Sequence, residues 1–275
     1  MRTVKAVLPV YNGCMLKSEG RCRNIGIAIV FLLIFLSTPA MTANHSGKTA
    51  QVIHVIVALC DNVHQGIVPV PAALDNGDIP GSNLYWGAGF GLKTVFRRSK
   101  SWELESCIPQ DRGPLLERCA FRHRDTGTIL IADAWRGSEI RQATRNFLRE
   151  SGGASFMWRS RTILPSLVIY AGHDRLMDFA LDVKPLSENP SRVPVMVFCC
   201  SSRLFFRENL ELLGALPLLW TTVLMAPEGY AVEAATNGWI AGERGTILRN
   251  RVAAAYNKYL KCGARTARHL FTTDN

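Results

Sequence analysis

The chain has 275 residues, of which 48% are apolar, and its formal net charge is +10. This length and apolar content suit one α/β domain with an extension at the front. Basic residues are spread along the chain rather than clustered with aromatic residues, which argues against a nucleic-acid partner and favours a basic, solvated surface.

The first 43 residues are predicted to form a secretory signal peptide. An apolar run at residues 25–36 has basic residues before it and small residues behind it, which is the layout of such a signal. Twelve residues are short for a membrane span, although an uncleaved anchor is the alternative, and only then is a membrane contact expected. Met15 is a second candidate start, which would make residues 1–14 a mis-assigned N-terminal extension. We therefore expect an exported protein, periplasmic or secreted, with residues 44–50 as a linker.

Cysteine usage fits an exported protein. Six of the eight cysteines lie beyond residue 43, and an exported chain can form disulfides. Cys107 and Cys119 are the most plausible pair because they are close in sequence. No Cys-x-x-Cys pair exists, which argues against zinc. We expect neither a metal nor another cofactor.

Apolar patterning predicts strands that alternate with helices. The predicted strands are 52–59, 115–122, 128–132, 167–171, 193–198 and 216–222. The predicted helices are 83–98, 138–151, 203–213, 227–235 and 246–262. This alternation predicts a three-layer α/β/α sandwich with a mostly parallel sheet over residues 51–262, followed by a C-terminal tail at 263–275.

Two predicted buried strands are followed directly by residues that could take part in catalysis. The strand 167–171 leads into Gly172-His173-Asp174, and the strand 193–198 leads into Cys199-Cys200. In open parallel sheets, ligands and catalytic groups collect at the carboxyl ends of the strands. A thiol is a good nucleophile only as thiolate, and a nearby imidazole stabilises that form and can later protonate a leaving amine.

This pattern resembles the caspase, legumain and gingipain group of cysteine peptidases (clan CD), in which one block ends in His-Gly and the next in Ala-Cys. Residues 216–228 look like the strand and loop that follow the catalytic Cys in legumains, and residues 52–60 look like that fold's first strand. The resemblance spans residues 51–262 and implies a caspase-like sandwich. The chain departs from the pattern with Asp174 after the His, with Cys199 in place of Ala, and with a short linker between His and Cys.

The resemblance implies an exported cysteine endopeptidase acting on peptides or proteins. Cys200 is the expected nucleophile because it takes the place of Cys in Ala-Cys, and His173 is the expected general acid/base. Backbone N–H groups near Gly172 and Cys200 are expected to hold the oxyanion. A Cys at the end of a core strand can also be there for packing alone.

The resemblance also implies where substrate binds. The pocket for the residue before the scissile bond would draw on Asp61, Trp220, Thr221 and Glu228. Two carboxylates near an aromatic wall favour a cationic side chain, which predicts cleavage after Arg or Lys. Asp61 is the expected partner of that cation, because a strand end holds its side chain more rigidly than a loop does. The alternative is that Asp61 caps the turn that follows it, as Asp commonly does.

Two other functions compete with the peptidase. The first is a non-catalytic caspase-like binding module, for which the departures at Asp174 and Cys199 speak. The second is metal-dependent hydrolysis through His173, Asp174 and Asp178, whereas a sequential His-Asp more often marks a strand end with one solvated carboxylate.

Overall fold

The computed structural model describes residues 51–66, 68–186 and 192–274. Its strands are β1 (Val52–Ala58), β2 (Trp102–Pro109), β3 (Leu115–His123), β4 (Ile129–Trp135), β5 (Phe156–Trp158), β6 (Arg161–Ile163), β7 (Leu167–Ala171), β8 (Pro194–Phe198), β9 (Leu216–Thr221) and β10 (Phe271–Thr272). Its helices are α1 (Leu92–Arg98), α2 (Ile140–Ser151), α3 (Ser202–Leu212), α4 (Gly229–Ile240), α5 (Gly245–Leu260) and α6 (Ala264–Leu270).

One mixed sheet organises the fold. Its strand order is β10-β9-β8-β7-β1-β4-β3-β2, and the five central strands β9, β8, β7, β1 and β4 run parallel. The strands at both edges are antiparallel to their neighbours. Because the central strands are parallel, their carboxyl ends meet at one edge of the sheet.

Helices cover both faces of the sheet. Along β1, Val55 and Val57 pack in a core that includes residues of α1, α4, α5 and α6. Ile56 and Ala58 point the other way and pack with residues of α2 and α3. This alternation within one strand is what a strand buried on both faces requires. The predicted three-layer α/β architecture with a mostly parallel sheet is confirmed.

The helix predicted at residues 83–98 begins only at Leu92. The preceding residues form turns because Asn83 is tied to the end of β1. Its side-chain amide bonds both backbone groups of Cys60, at 3.1 and 2.8 Å. Gly91 also passes so close to the Trp86 backbone that a Cβ there would lie 2.4 Å away from it. The segment is therefore a compact loop packed against the sheet edge.

The last residues form structure where a tail was predicted. Helix α6 occupies Ala264–Leu270, and β10 then pairs antiparallel with β9, with Phe271 opposite Thr221. Phe271 is 1% exposed and belongs to the core. A two-residue strand carries no detectable periodicity, which is why the sequence pattern did not predict it.

The predicted disulfide between Cys107 and Cys119 is confirmed. The two residues face each other on the antiparallel strands β2 and β3, twelve residues apart in sequence. The bond therefore links two strands at one edge of the sheet.

We expect the double substitution Cys107→Ser and Cys119→Ser to lower the free energy of unfolding by about 3 kcal/mol. Closing a loop of this length removes conformations from the unfolded chain, and the loop-entropy relation gives that magnitude. Urea unfolding of the oxidised protein and of the variant measures the difference. A reducing agent should destabilise the wild type alone, and equal midpoints for the oxidised protein and the variant would contradict the expectation.

The predicted signal peptide and linker lie outside the described residues. Within the described part of the chain, no helix combines the length and the apolar content that a membrane crossing requires. Export therefore stays a prediction.

Candidate active site

His173 and Cys200 follow neighbouring strands and leave the sheet at the same edge. Ala171 at the end of β7 pairs with Phe198 at the end of β8. The pairing continues one step further, because the Gly172 N–H donates to the Phe198 carbonyl at 3.1 Å. The parallel register thus carries both predicted catalytic residues to the carboxyl end of the sheet.

Cys200 lies in a tight turn between β8 and α3. Ser201 adopts a left-handed backbone conformation with φ +50°, and its N–H donates to the Val223 carbonyl at 3.0 Å. Such conformations at non-glycine residues cost energy and cluster at functional sites. The turn leaves Cys200 half-buried, with its Sγ 3.6 Å from the Met225 carbonyl oxygen.

A reciprocal pair of hydrogen bonds fixes the start of α3 behind this turn. The Ser202 N–H donates to the Thr221 hydroxyl at 3.0 Å, and the Thr221 N–H donates to the Ser202 hydroxyl at 2.8 Å. The Thr221 hydroxyl also donates to the Cys199 carbonyl. The turn that carries Cys200 is therefore anchored to the end of β9.

His173 is almost fully buried, with 7% of its surface exposed. Its carbonyl accepts a hydrogen bond from the Tyr170 hydroxyl at 2.9 Å, which anchors the backbone just beyond β7. Its ring Nε2 lies 3.5 Å from the Asp178 carboxylate. The imidazole is thus held in a dry position beside one carboxylate.

Burial sets the protonation of the pair in the resting state. It lowers the pKa of His173 more than nearby Asp178 raises it, and it raises the pKa of the Cys200 thiol. Both shifts favour the uncharged forms, because a buried charge loses its hydration. The resting site therefore holds a neutral thiol and a neutral imidazole. His173 is suited to act as a base when a substrate arrives.

Asp174 and Cys199, the two residues that depart from the clan CD pattern, interact with each other. Cys199 and Asp174 are both fully buried, and Cys199 packs in the core with α2 and α3. Burial raises the pKa of Asp174 to about 7, and burial together with Asp174 raises the pKa of Cys199 far above its ordinary value. Cys199 is consequently less accessible and less easily ionised than Cys200.

The two predicted oxyanion donors differ in availability. The Gly172 N–H already donates to the Phe198 carbonyl, so it is committed to the sheet. The Cys200 N–H donates to no other residue in the part of the chain that the structure describes. The Cys200 N–H instead acts on its own sulfur, where it lowers the pKa of the thiol against the larger effect of burial.

Asp61 caps the turn that follows β1. Its carboxylate accepts hydrogen bonds from the backbone N–H groups of Val63 and His64 at 2.9 and 3.1 Å. The His64 ring lies 2.8 Å from its second oxygen. The capping role that competed with substrate binding is therefore the one that the structure shows.

Trp220 and Thr221 are fully buried at the end of β9. The Trp220 indole N–H donates to Asp274 at 2.8 Å, and the Thr221 hydroxyl is occupied by the loop contacts described above. Trp220 thus packs in the core, and Thr221 anchors the turn that carries Cys200. Their contact with a substrate stays a prediction.

Glu228 is a buried carboxyl directly before α4. It is 3% exposed, accepts a hydrogen bond from the Tyr230 hydroxyl at 2.5 Å, and has its pKa raised by burial. Tyr256 lies near it, since the Tyr256 ring centroid is 6.0 Å from that of Tyr230. Burial, with smaller contributions from Glu228 and Cys200, raises the pKa of Tyr256 to about 12. The Tyr256 hydroxyl accepts the Ala226 N–H at 3.1 Å.

Sequence reasoning missed two tyrosines near Cys200. Tyr256 comes from α5, and Tyr85, whose pKa is raised by burial and by nearby Cys60 and Cys200, comes from the loop that was predicted to be helical. Both look like core aromatic residues in the sequence. No local signal distinguishes them, since their proximity to Cys200 depends on the tertiary fold.

The described residues do not bring His173, Asp174 and Asp178 together as a metal site. Among these residues, one group of His, Cys, Asp or Glu places three ligand atoms within 4.8 Å of one another: Cys107, Glu117 and Cys119. The two sulfurs of that group are joined in the disulfide.

Comparisons of the chain with protein-family models, with curated proteins and with solved structures give no match.

Proposed function

We propose that this chain is a caspase-like cysteine endopeptidase with Cys200 as nucleophile and His173 as general acid/base. One observation carries the proposal: the two residues follow adjacent parallel strands at the carboxyl edge of the sheet, where the register extends through Gly172. The half-buried thiol on an anchored turn and the almost fully buried imidazole support these two roles.

The reaction can start from a neutral Cys200 thiol and a neutral His173 imidazole, so it needs no thiolate–imidazolium pair before the substrate binds. His173 takes the proton of the Cys200 thiol as the sulfur attacks the peptide carbonyl carbon, and the Cys200 N–H stabilises the resulting oxyanion. The imidazolium then gives its proton to the leaving amine, and the C–N bond breaks to leave a thioester. Water, deprotonated by His173, hydrolyses the thioester and restores the thiol.

Glu228 is the carboxyl that we propose for substrate recognition, with a preference for Lys or Arg before the scissile bond. Asp61 is engaged in its cap, whereas Glu228 is buried among aromatic side chains near Cys200. Burial disfavours its charged form in the free protein, and a cationic side chain would offset that cost by pairing with it.

Labelling by a substrate-like electrophile tests the proposed activity. A peptidyl acyloxymethyl ketone with Arg in the first position should modify Cys200, as read by mass spectrometry of peptides, and the same reagent with Asn should react more slowly. Cys200→Ala should abolish the modification, and Cys199→Ala should retain it. Modification of Cys199 alone would reject the assignment.

A non-catalytic binding module is the second candidate. It is favoured by the uncharged resting forms of Cys200 and His173. It predicts that peptides bind at the sheet edge while the electrophile leaves Cys200 unmodified. The labelling experiment therefore separates the two functions.

A further inference from the structure

We propose that Asp178 is a positioning residue that orients the His173 imidazole and fixes its tautomer. The clan CD resemblance supplies only a Cys and a His, so this carboxylate is an addition that belongs to this chain. The proposal rests on the peptidase function proposed above.

The carboxylate next to the His173 ring is that of Asp178. The His173 Nε2 atom is buried and has no hydrogen-bond partner within the described residues, and it lies 3.5 Å from Asp178 Oδ2. This separation exceeds a normal N–H···O hydrogen bond by about 0.5 Å. Catalytic hydrogen bonds are often long in the absence of substrate and shorten in the complex. A small movement would therefore close the bond.

A short 3₁₀ turn at Arg175–Met177 holds Asp178 in place. Asp174 caps the turn by accepting the Leu176 N–H at 3.0 Å, and the Asp178 N–H donates to the Arg175 carbonyl at 3.0 Å. The Arg175 guanidinium also donates to the Asp178 carboxylate at 3.1 Å. Asp178 is thus fixed through its backbone and its side chain, while 37% of the side chain stays exposed.

A bond between Nε2–H and Asp178 would define the chemistry of the other ring nitrogen. In a neutral imidazole, one nitrogen carries the proton and the other is an acceptor. If Nε2 donates to Asp178, Nδ1 is left as the acceptor for the Cys200 proton. The carboxylate would then stabilise the imidazolium that forms during the reaction, as an orienting carboxylate does in other nucleophilic sites.

The charged groups that act on His173 oppose each other. Burial lowers its pKa most, Asp178 raises it, and Arg175 lowers it. The titratable groups that follow the neighbouring strand β8 are the thiols of Cys199 and Cys200, and burial raises the pKa of both. Arg141 of α2 reaches the same turn, where its guanidinium lies over the Phe179 ring.

The neighbour of Asp178 from the loop after β1 is uncharged. Gly66 is the neighbour there, and a Cβ on it would lie 3.6 Å from Asp178 Oδ1. Asp178 is therefore the carboxylate whose removal should lower the pKa of His173 most directly.

The test compares four variants by the pH dependence of kcat/KM on a Lys- or Arg-containing peptide. Asp178→Asn should lower the maximal rate by about tenfold or more and move the acidic limb to lower pH, because the imidazolium loses its stabilising charge. Asp178→Glu should restore part of the rate. Arg175→Ala should move the acidic limb to higher pH. Asp182→Asn, an exposed Asp further along the same segment, is the matched control and should change neither quantity.

Alkylation of Cys200 by iodoacetamide, measured from pH 5 to 9 by peptide mass spectrometry, separates the two possible failures. If His173→Ala leaves the wild-type alkylation profile unchanged, the peptidase proposal fails. If alkylation depends on His173 but Asp178→Asn gives the same kcat/KM profile as Asp182→Asn, the peptidase proposal stands and the role of Asp178 is rejected.

Discussion

Replacing Cys200 with Ala is expected to abolish peptide-bond hydrolysis, because the reaction loses its nucleophile. Replacing His173 with Ala should reduce kcat/KM by about 10²- to 10⁴-fold, which is the usual contribution of a general acid/base. The loss at His173 should be severe here because burial raises the pKa of Cys200, so few thiolates exist without a base. Initial rates on a fluorogenic peptide measure both effects.

The combination of the two substitutions provides a further check. When two residues act as one catalytic unit, their separate rate losses do not add. The double variant should therefore have the same residual activity as Cys200→Ala alone. Cys199→Ala is the matched control, since Cys199 is fully buried beside Asp174 and packs in the core. Activity that survives Cys200→Ala but disappears with Cys199→Ala would overturn the assignment of the nucleophile.

The parallel strands could be predicted because their information is local. The observed β7 spans the predicted residues 167–171, and β8 and β9 differ from their predictions by one residue at one end. Each is a short, β-branched or leucine-rich run that is buried on both faces, which is the pattern of a central parallel strand. Because the strands could be predicted, their carboxyl ends could be predicted too. The placement of His173 and Cys200 at the same edge of the sheet follows from those ends.

Features that depend on distant partners could not be predicted in this way. The residues before Leu92 look helical, but the Asn83 side chain bonds the Cys60 backbone and holds them in turns. Strand β10 exists only because β9 offers it an edge. Tyr85 and Tyr256 approach Cys200 from a loop and from a helix that are remote in sequence. In each case tertiary contacts override the local pattern.

A buried network of charged side chains on the sheet and α2 could not be predicted from the sequence either. Disrupting this network should have the second large effect, on the free energy of unfolding. His54 of β1 is fully buried, with its two ring nitrogens 2.6 Å from Glu150 and 3.1 Å from Asp133. Arg118 donates two hydrogen bonds of 2.6 Å to Asp133. The sequence shows only a His inside an apolar run, because its partners come from α2, β3 and β4.

We expect Asp133→Ala to lower the free energy of unfolding by about 3–5 kcal/mol, which is typical of removing one partner from a buried ion pair. The substitution leaves Arg118 without its carboxylate and His54 with one partner instead of two. Asp133→Asn keeps the shape and one acceptor, so it should rank between the wild type and Asp133→Ala. Glu211→Ala, which breaks the exposed pair with Arg207, is the control and should leave the urea midpoint unchanged.

The same network predicts that alkaline pH weakens the fold. The attraction of Glu150 and Asp133 outweighs the effect of burial and raises the pKa of His54 from its ordinary 6.5 to about 9. Because the folded state binds the proton more tightly, this stabilisation is complete below pH 6.5 and is lost as the pH rises to about 9. Urea unfolding at intervals from pH 6 to 9.5 should show the decline, and His54→Gln should make it shallower. An equally steep decline in His54→Gln would show that other groups cause it and that the His54 proton does not stabilise the fold.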